Sequence, residues 1–182
     1  MKIPSYIDQG LVKLKQMNVG ECSPGQFVET IRHAVDHEAA RVVVIDSLTG
    51  FLAAMVEEQQ IIPQLHELLN YLNGAGVLTL MIVATHGLLG TAETSIDASY
   101  LADTVVLMRH FEAMGKMRRC ISVIKKRHGS HEMTIREVQI GSGGVQVGPP
   151  LHEFTGILTG TPRYEGASAV SSNRVTCLSE LL

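Results

Sequence analysis

Apolar and polar positions change period twice along the chain. Arg41-Val-Val-Val-Ile-Asp46-Ser47 sets four consecutive apolar β-formers between a basic residue and a carboxylate–hydroxyl pair. Such a run predicts a strand buried on both faces, as in a parallel sheet. Val77-Leu-Thr-Leu-Met-Ile-Val-Ala84 is a second run of the same kind, ending in Thr85-His86-Gly87. Between them, Leu48–Met55 reads as a short helix or loop. A helix is expected from about Gln59 to Asn73, with Ile61, Ile62, Leu65, Leu68, Leu69 and Leu72 on one face and Gly74 as C′ residue. Upstream, Ser23 as N-cap, Pro24 at the first position and Gln26 form a capping box. Phe27, Ile31, Ala34 and Val35 then share a face through about residue 39. Residues 3–10 read as a short helix. Leu11–Met17 alternates apolar and polar positions, as an edge strand does.

After residue 88 the texture changes. A loop rich in Gly, Thr and Ser (Leu88–Asp97) leads into runs at 103–110, 118–125, 133–140 and 145–147. Turns at Glu112–Lys116, Arg127–Glu132 and Gly141–Gly144 are too short for parallel pairing, so the runs predict an antiparallel meander. The fold class is therefore α/β, a parallel sheet flanked by helices and followed by a β-meander. From Pro149 onward the pattern is mixed, and Ala167–Asn173 predicts little order.

Composition narrows the function classes. The 182 residues, 45% hydrophobic and 18% charged, describe one globular domain. No apolar run approaches the roughly 18 residues of a membrane helix. Cys22, Cys120 and Cys177 are odd in number and widely spaced, which points to a reducing cytoplasm and to neither a disulfide framework nor a zinc site. A net charge of −3 and the absence of Trp disfavour nucleic acid as partner.

Four places carry candidate chemistry. Asp46 falls at a strand's carboxyl end, where open α/β sheets bind ligands. It can hold Mg²⁺ through water beside nucleotide phosphates, the task of a Walker B strand, or simply cap the following helix. His33 and His37 are spaced i, i+4, a metal spacing with no third ligand near, which favours a solvated face. Lys125, Lys126 and Arg127 read as solvated hairpin ends. Ser99 is an N-cap or loop hydroxyl. No G-x-x-x-x-G-K-[ST] occurs in the sequence.

Val43-Val-Ile-Asp-Ser-Leu48, Asp103-Thr-Val-Val-Leu107, Lys125-Lys-Arg127 followed by His131-Glu132, and Ile135-Arg-Glu137 occur here in that order. Together they resemble the RecA-like, P-loop NTPase domain of the KaiC family, known from the cyanobacterial circadian clock. The resemblance runs from about Leu11 to Tyr164. The phrases His66-Glu-Leu-Leu-Asn-Tyr-Leu-Asn73 and Ser99-Tyr-Leu-Ala-Asp-Thr-Val-Val-Leu107 are similar to KaiC-like proteins outside the clock.

The resemblance implies a hexameric ring with ATP and Mg²⁺ between subunits, in ATP-dependent signalling. Asp46 then matches the Walker B Asp, with Ser47 after it and Thr85 at the sensor position, where relatives often carry Gln. Lys125 and Arg127 match the Lys-x-Arg finger that reaches across to a neighbour's phosphates. Ser99 matches an autophosphorylated serine, although Tyr100 stands where threonine is expected. The family's P-loop and catalytic glutamates fall before Leu11, so 1–164 reads as the C-terminal part of such a domain and 165–182 as a tail. Glu57 and Glu58 follow the Walker B strand and do not match those glutamates. The P-loop strand is internal to such a sheet, so its loss leaves strand edges to be closed by rearrangement, by another chain or by self-association. The expected partner is a second copy or a P-loop-bearing KaiC-like chain, and the chain alone is expected to bind ATP feebly. A non-catalytic interaction module is the alternative. A DNA recombinase fits the acidic balance least well.

Overall fold

A computed structural model describes residues 3–18, 22–54, 61–84 and 99–166. They fall into two compact units, one built from the described residues up to 84 with 99–101 and one from residues 102–166.

The first unit opens with α1 (Ile3–Asp8) and α2 (Pro24–Asp36). The capping box at α2 forms as the sequence predicts. Ser23 Oγ accepts from the Gln26 N–H at 3.2 Å, and the Ser23 N–H donates to Gln26 Oε1 at 3.1 Å. Between these helices the predicted edge strand is absent, and residues 12–18 adopt no regular structure. A strand exists by pairing its backbone, and this segment has no ladder partner among the described residues. Met17 packs against the core, and the two lysines reach polar groups of the neighbouring helix and the turn after it. Lys13 Nζ bonds Glu38 Oε1 at 2.5 Å and Lys15 Nζ bonds Thr30 Oγ1 at 3.3 Å, while Leu11 and Leu14 are 70% and 75% exposed.

β1 (Val42–Asp46), α3 (Leu48–Ala54), α4 (Ile61–Gly74) and β2 (Leu78–Ile82) follow. β1 and β2 pair in parallel, with Val43 opposite Thr79 and Ile45 opposite Met81. The core joins Phe27 and Ile31 of α2, Ile45, Leu48, Phe51 and Leu52, and Ile61, Leu65, Leu68 and Leu72 of α4. Gly74 is the last residue of α4 rather than its C′ residue. The chain turns two residues later, at Gly76 with φ 69°. There the Val77 N–H bonds Leu72 O and the Gly76 N–H bonds Asn73 O, the paired bonds of a Schellman motif.

The expectation that both runs are buried on both faces is also corrected. Only the face bearing Val43, Ile45 and Met81 packs on the helices. On the other face Val42, Val44, Leu78, Leu80 and Ile82 are between 44% and 58% exposed. The helices of the described residues supply a layer for one side of the sheet alone.

The second unit is the predicted meander. β3 (Thr104–Ala113), β4 (Lys116–Lys126), β5 (Arg136–Gly141) and β6 (Gly144–Pro150) form an antiparallel sheet in that order. β3 and β4 outgrow the predicted runs because only Met114 and Gly115 separate them, with φ of 53° and 68°. Two consecutive positive φ values mark a type I′ turn, whose twist suits a hairpin. A small hairpin, β7 (Phe154–Thr155) with β8 (Arg163–Tyr164), completes the unit. Phe111, Ala113, Cys120 and Ile157 form its buried centre, with Ile135, Leu151, Phe154 and Leu158 around them.

Candidate functional site

In the first unit, candidate chemistry gathers at the carboxyl end of β1. Asp46 is the last strand residue, in register with Ile82, and its side chain is exposed. Its parity places it on the same face as Val44 and Leu80. The cap of α3 is the next residue: Ser47 Oγ accepts from the Gly50 N–H at 3.2 Å. Thr49 Oγ1 both donates to Ala84 O at 3.2 Å and accepts from the Ala84 N–H at 3.1 Å, tying α3 to the chain just beyond β2. Of the two roles open to Asp46, helix capping therefore belongs to Ser47, and the Asp46 carboxylate stays at the sheet's end. Thr85, Glu57 and Glu58 lie outside the described residues. Ser99 begins a 3₁₀ turn, Ser99–Leu101.

His33 and His37 stack with ring centroids 4.6 Å apart, and His33 Nδ1 lies 3.6 Å from Glu38 Oε1. That carboxylate is held below its ordinary range chiefly by its bond to Lys13. No group of three or more metal-ligating side chains occurs among the described residues.

In the second unit, Lys125 sits in β4 opposite Val105, and Arg127 follows the strand directly. Asp103, one residue before β3, meets Arg127 twice. The Arg127 N–H donates to Asp103 O at 2.7 Å, and Arg127 Nε lies 3.1 Å from Asp103 Oδ1. Lys126 turns to the following loop, donating to Ser130 O at 3.3 Å. In the sequence Asp103 stands out only as part of an Asp-Thr phrase. The signal that could have found it is its place opposite Arg127 across a hairpin.

Two further residues of the resemblance phrases, Glu132 and Glu137, pair with arginines. Glu132 accepts from Arg136 Nε at 2.8 Å and from Thr134, and these bonds, Arg136 first, hold its carboxyl low. Glu137 takes a two-pronged bond from Arg118, at 2.7 Å from Nε and 2.6 Å from Nη2. Arg118 also lies over Phe111 and Phe154, at 5.7 and 5.6 Å. Cys120 is buried, and burial pushes its thiol up, away from nucleophilic use.

Comparison with known proteins decides the family. The family model described as "ATPase: KaiC" matches residues 5–152. The chain belongs to the KaiC ATPase family. The circadian clock protein KaiC3 of Synechocystis sp. (strain PCC 6803) is 41% identical over 92 residues, which cover 50% of this chain and 18% of that relative. The clock oscillator protein KaiC of Acaryochloris marina is 36% identical over 69 residues, 38% of this chain and 13% of its own. Among solved structures, the KaiC-like protein PH0186 from the archaeon Pyrococcus horikoshii OT3 superposes with a TM-score of 0.65 at 25% identity. The match covers 81% of this chain and 64% of that one. The α/β, RecA-like fold of KaiC proteins is thus shared. The matched stretches span under a fifth of these curated relatives and under two thirds of the archaeal chain. No helix among the described residues is long and apolar enough to cross a membrane.

Proposed function

We propose that this chain contributes Asp46 to one composite ATP site and the Lys125/Arg127 segment, as a trans finger, to a neighbour's site, in a KaiC-like assembly that serves signalling. Another KaiC-like chain supplies the phosphate-binding loop. The observation that carries this reading is the open face of the parallel sheet, which leads straight to Asp46. A parallel sheet is normally covered on both faces. Five contiguous apolar side chains beside a ligand-type carboxylate fit a surface that a complementary α/β segment closes. Asp46 then assists Mg²⁺ through water, with Ser47 holding the strand-to-helix turn behind it. Arg127, with Lys125, serves a neighbour's phosphates, where a guanidinium neutralises charge developing in transfer. Thr85 contacts nucleotide in the same reading, and Ser99 is a candidate phosphosite. Residues 1–164 act as the ATPase part and 165–182 as a tail.

The absence of a P-loop motif in these 182 residues favours a second reading, a non-catalytic module that keeps the assembly surface alone. Mg·ATP titration of the purified chain, alone and mixed with a P-loop-bearing KaiC-like chain, separates the two. The composite reading expects feeble binding alone, co-elution on mixing, and loss of co-elution with Val44→Glu. Micromolar ATP binding by the chain alone removes the need for a donated loop. Co-elution without any change in the partner's nucleotide turnover leaves only the module.

A further inference from the structure

We propose that Asp103 is the positioning residue of Arg127, orienting its guanidinium toward the phosphate it serves; this rests on the finger reading of Arg127. The last β3–β4 pair is Thr104 opposite Lys126. One step beyond it, a single residue grips Arg127 by main chain and side chain together, through the 2.7 Å bond to Asp103 O and the 3.1 Å contact at Oδ1. The carboxylate engages Nε, the guanidinium nitrogen nearest the backbone. A partner there fixes the plane in which the outer nitrogens lie. Asp103 selects Arg127 over its basic neighbour, since Lys126 is directed to Ser130 O. The two side chains are 50% and 62% exposed. An ion pair in that setting adds little to stability, so its consequence lies in where the guanidinium points.

The test is a finger-complementation ATPase assay. A P-loop-bearing KaiC-like partner has its own Lys-x-Arg finger replaced by alanines, so that turnover depends on arginine from this chain. Arg127→Ala is expected to abolish the stimulation. Asp103→Asn is expected to lower kcat about three- to ten-fold with KM for ATP unchanged, as for a misdirected guanidinium on an intact fold. Asp103→Glu, which keeps the charge, is expected to recover part of the loss. Full stimulation by Asp103→Asn while Arg127→Ala is inactive overturns the positioning role and leaves the finger reading standing. Higher activity in Asp103→Asn also overturns it, by showing that the carboxylate holds Arg127 back, as does a change confined to KM. No stimulation by the unaltered chain, or full stimulation by Arg127→Ala, removes the finger reading and Asp103 with it.

Discussion

Glu137 lies in a phrase that marks the family, yet its contacts are those of a structural residue. Arg118 holds its carboxyl below the ordinary range through a two-pronged bond, and both side chains are partly buried. A carboxyl lowered in the folded state contributes stability that is complete above its unfolded pKa and fades as pH falls through the folded value. Glu137→Gln is therefore expected to cost about 1–2 kcal/mol at neutral pH. The gap to the unaltered chain should close as pH drops below about 4, the ordinary glutamate range. Urea denaturation of both proteins at pH 7 and in acid measures this, and a gap independent of pH rules the carboxylate out as its source. Ala39 gives a smaller prediction. Its φ of 57° is left-handed, a region that costs an L-residue roughly 1–2 kcal/mol. Ala39→Gly should raise thermal stability by up to about 1 kcal/mol, and a lowered melting temperature contradicts that. Sequence gave Asp46 two roles and could not choose. The choice needed the hydroxyl of Ser47 in space, since neighbouring Asp and Ser are both good N-caps.

Among the elements, helices were the most legible. Ser23, Pro24 and Gln26 mark the start of α2 in three independent ways, and the stripe of α4 returns as buried Ile61, Leu65, Leu68 and Leu72. Strands were legible in position but not in setting. A continuous apolar run says that a strand tolerates burial on both faces; it does not say that two layers are present to bury it. The Leu11–Met17 alternation failed for a related reason, because pattern reports which side chains suit a strand and not whether a ladder partner exists. β7 and β8 are two residues each, too short for any period to show. The same contrast yields a mutational test. Leu72→Ala, in the fully buried seam of α4, should cost about 2–5 kcal/mol. Val44→Ala, on the open sheet face, should cost well under 1.5 kcal/mol in the chain alone. Comparable losses for the two by chemical denaturation contradict the one-sided sheet.

For the whole chain, the continuous apolar runs lie in one compact unit and the short runs between glycine-rich turns in the other. Phrase order then carried the family, because a dispersed set of short motifs is specific even where each is weak. The chemistry was less legible, since a candidate ATP site is defined by groups brought together in space. The two-residue turn at Met114–Gly115 has one more consequence, in time rather than in space. β3 and β4 are joined by the shortest closure a hairpin allows, as β5 and β6 are across Ser142–Gly143, and the β3–β4 ladder is the longer, so this hairpin is the expected folding nucleus of its unit. Asn suits the positive φ of Met114 far better, since Asn-Gly is the favoured type I′ pair. In stopped-flow kinetics, Met114→Asn should speed refolding while leaving unfolding nearly unchanged, the mark of a contact already made in the transition state. Slower unfolding at an unchanged refolding rate instead means that the rest of the unit must assemble before this turn matters.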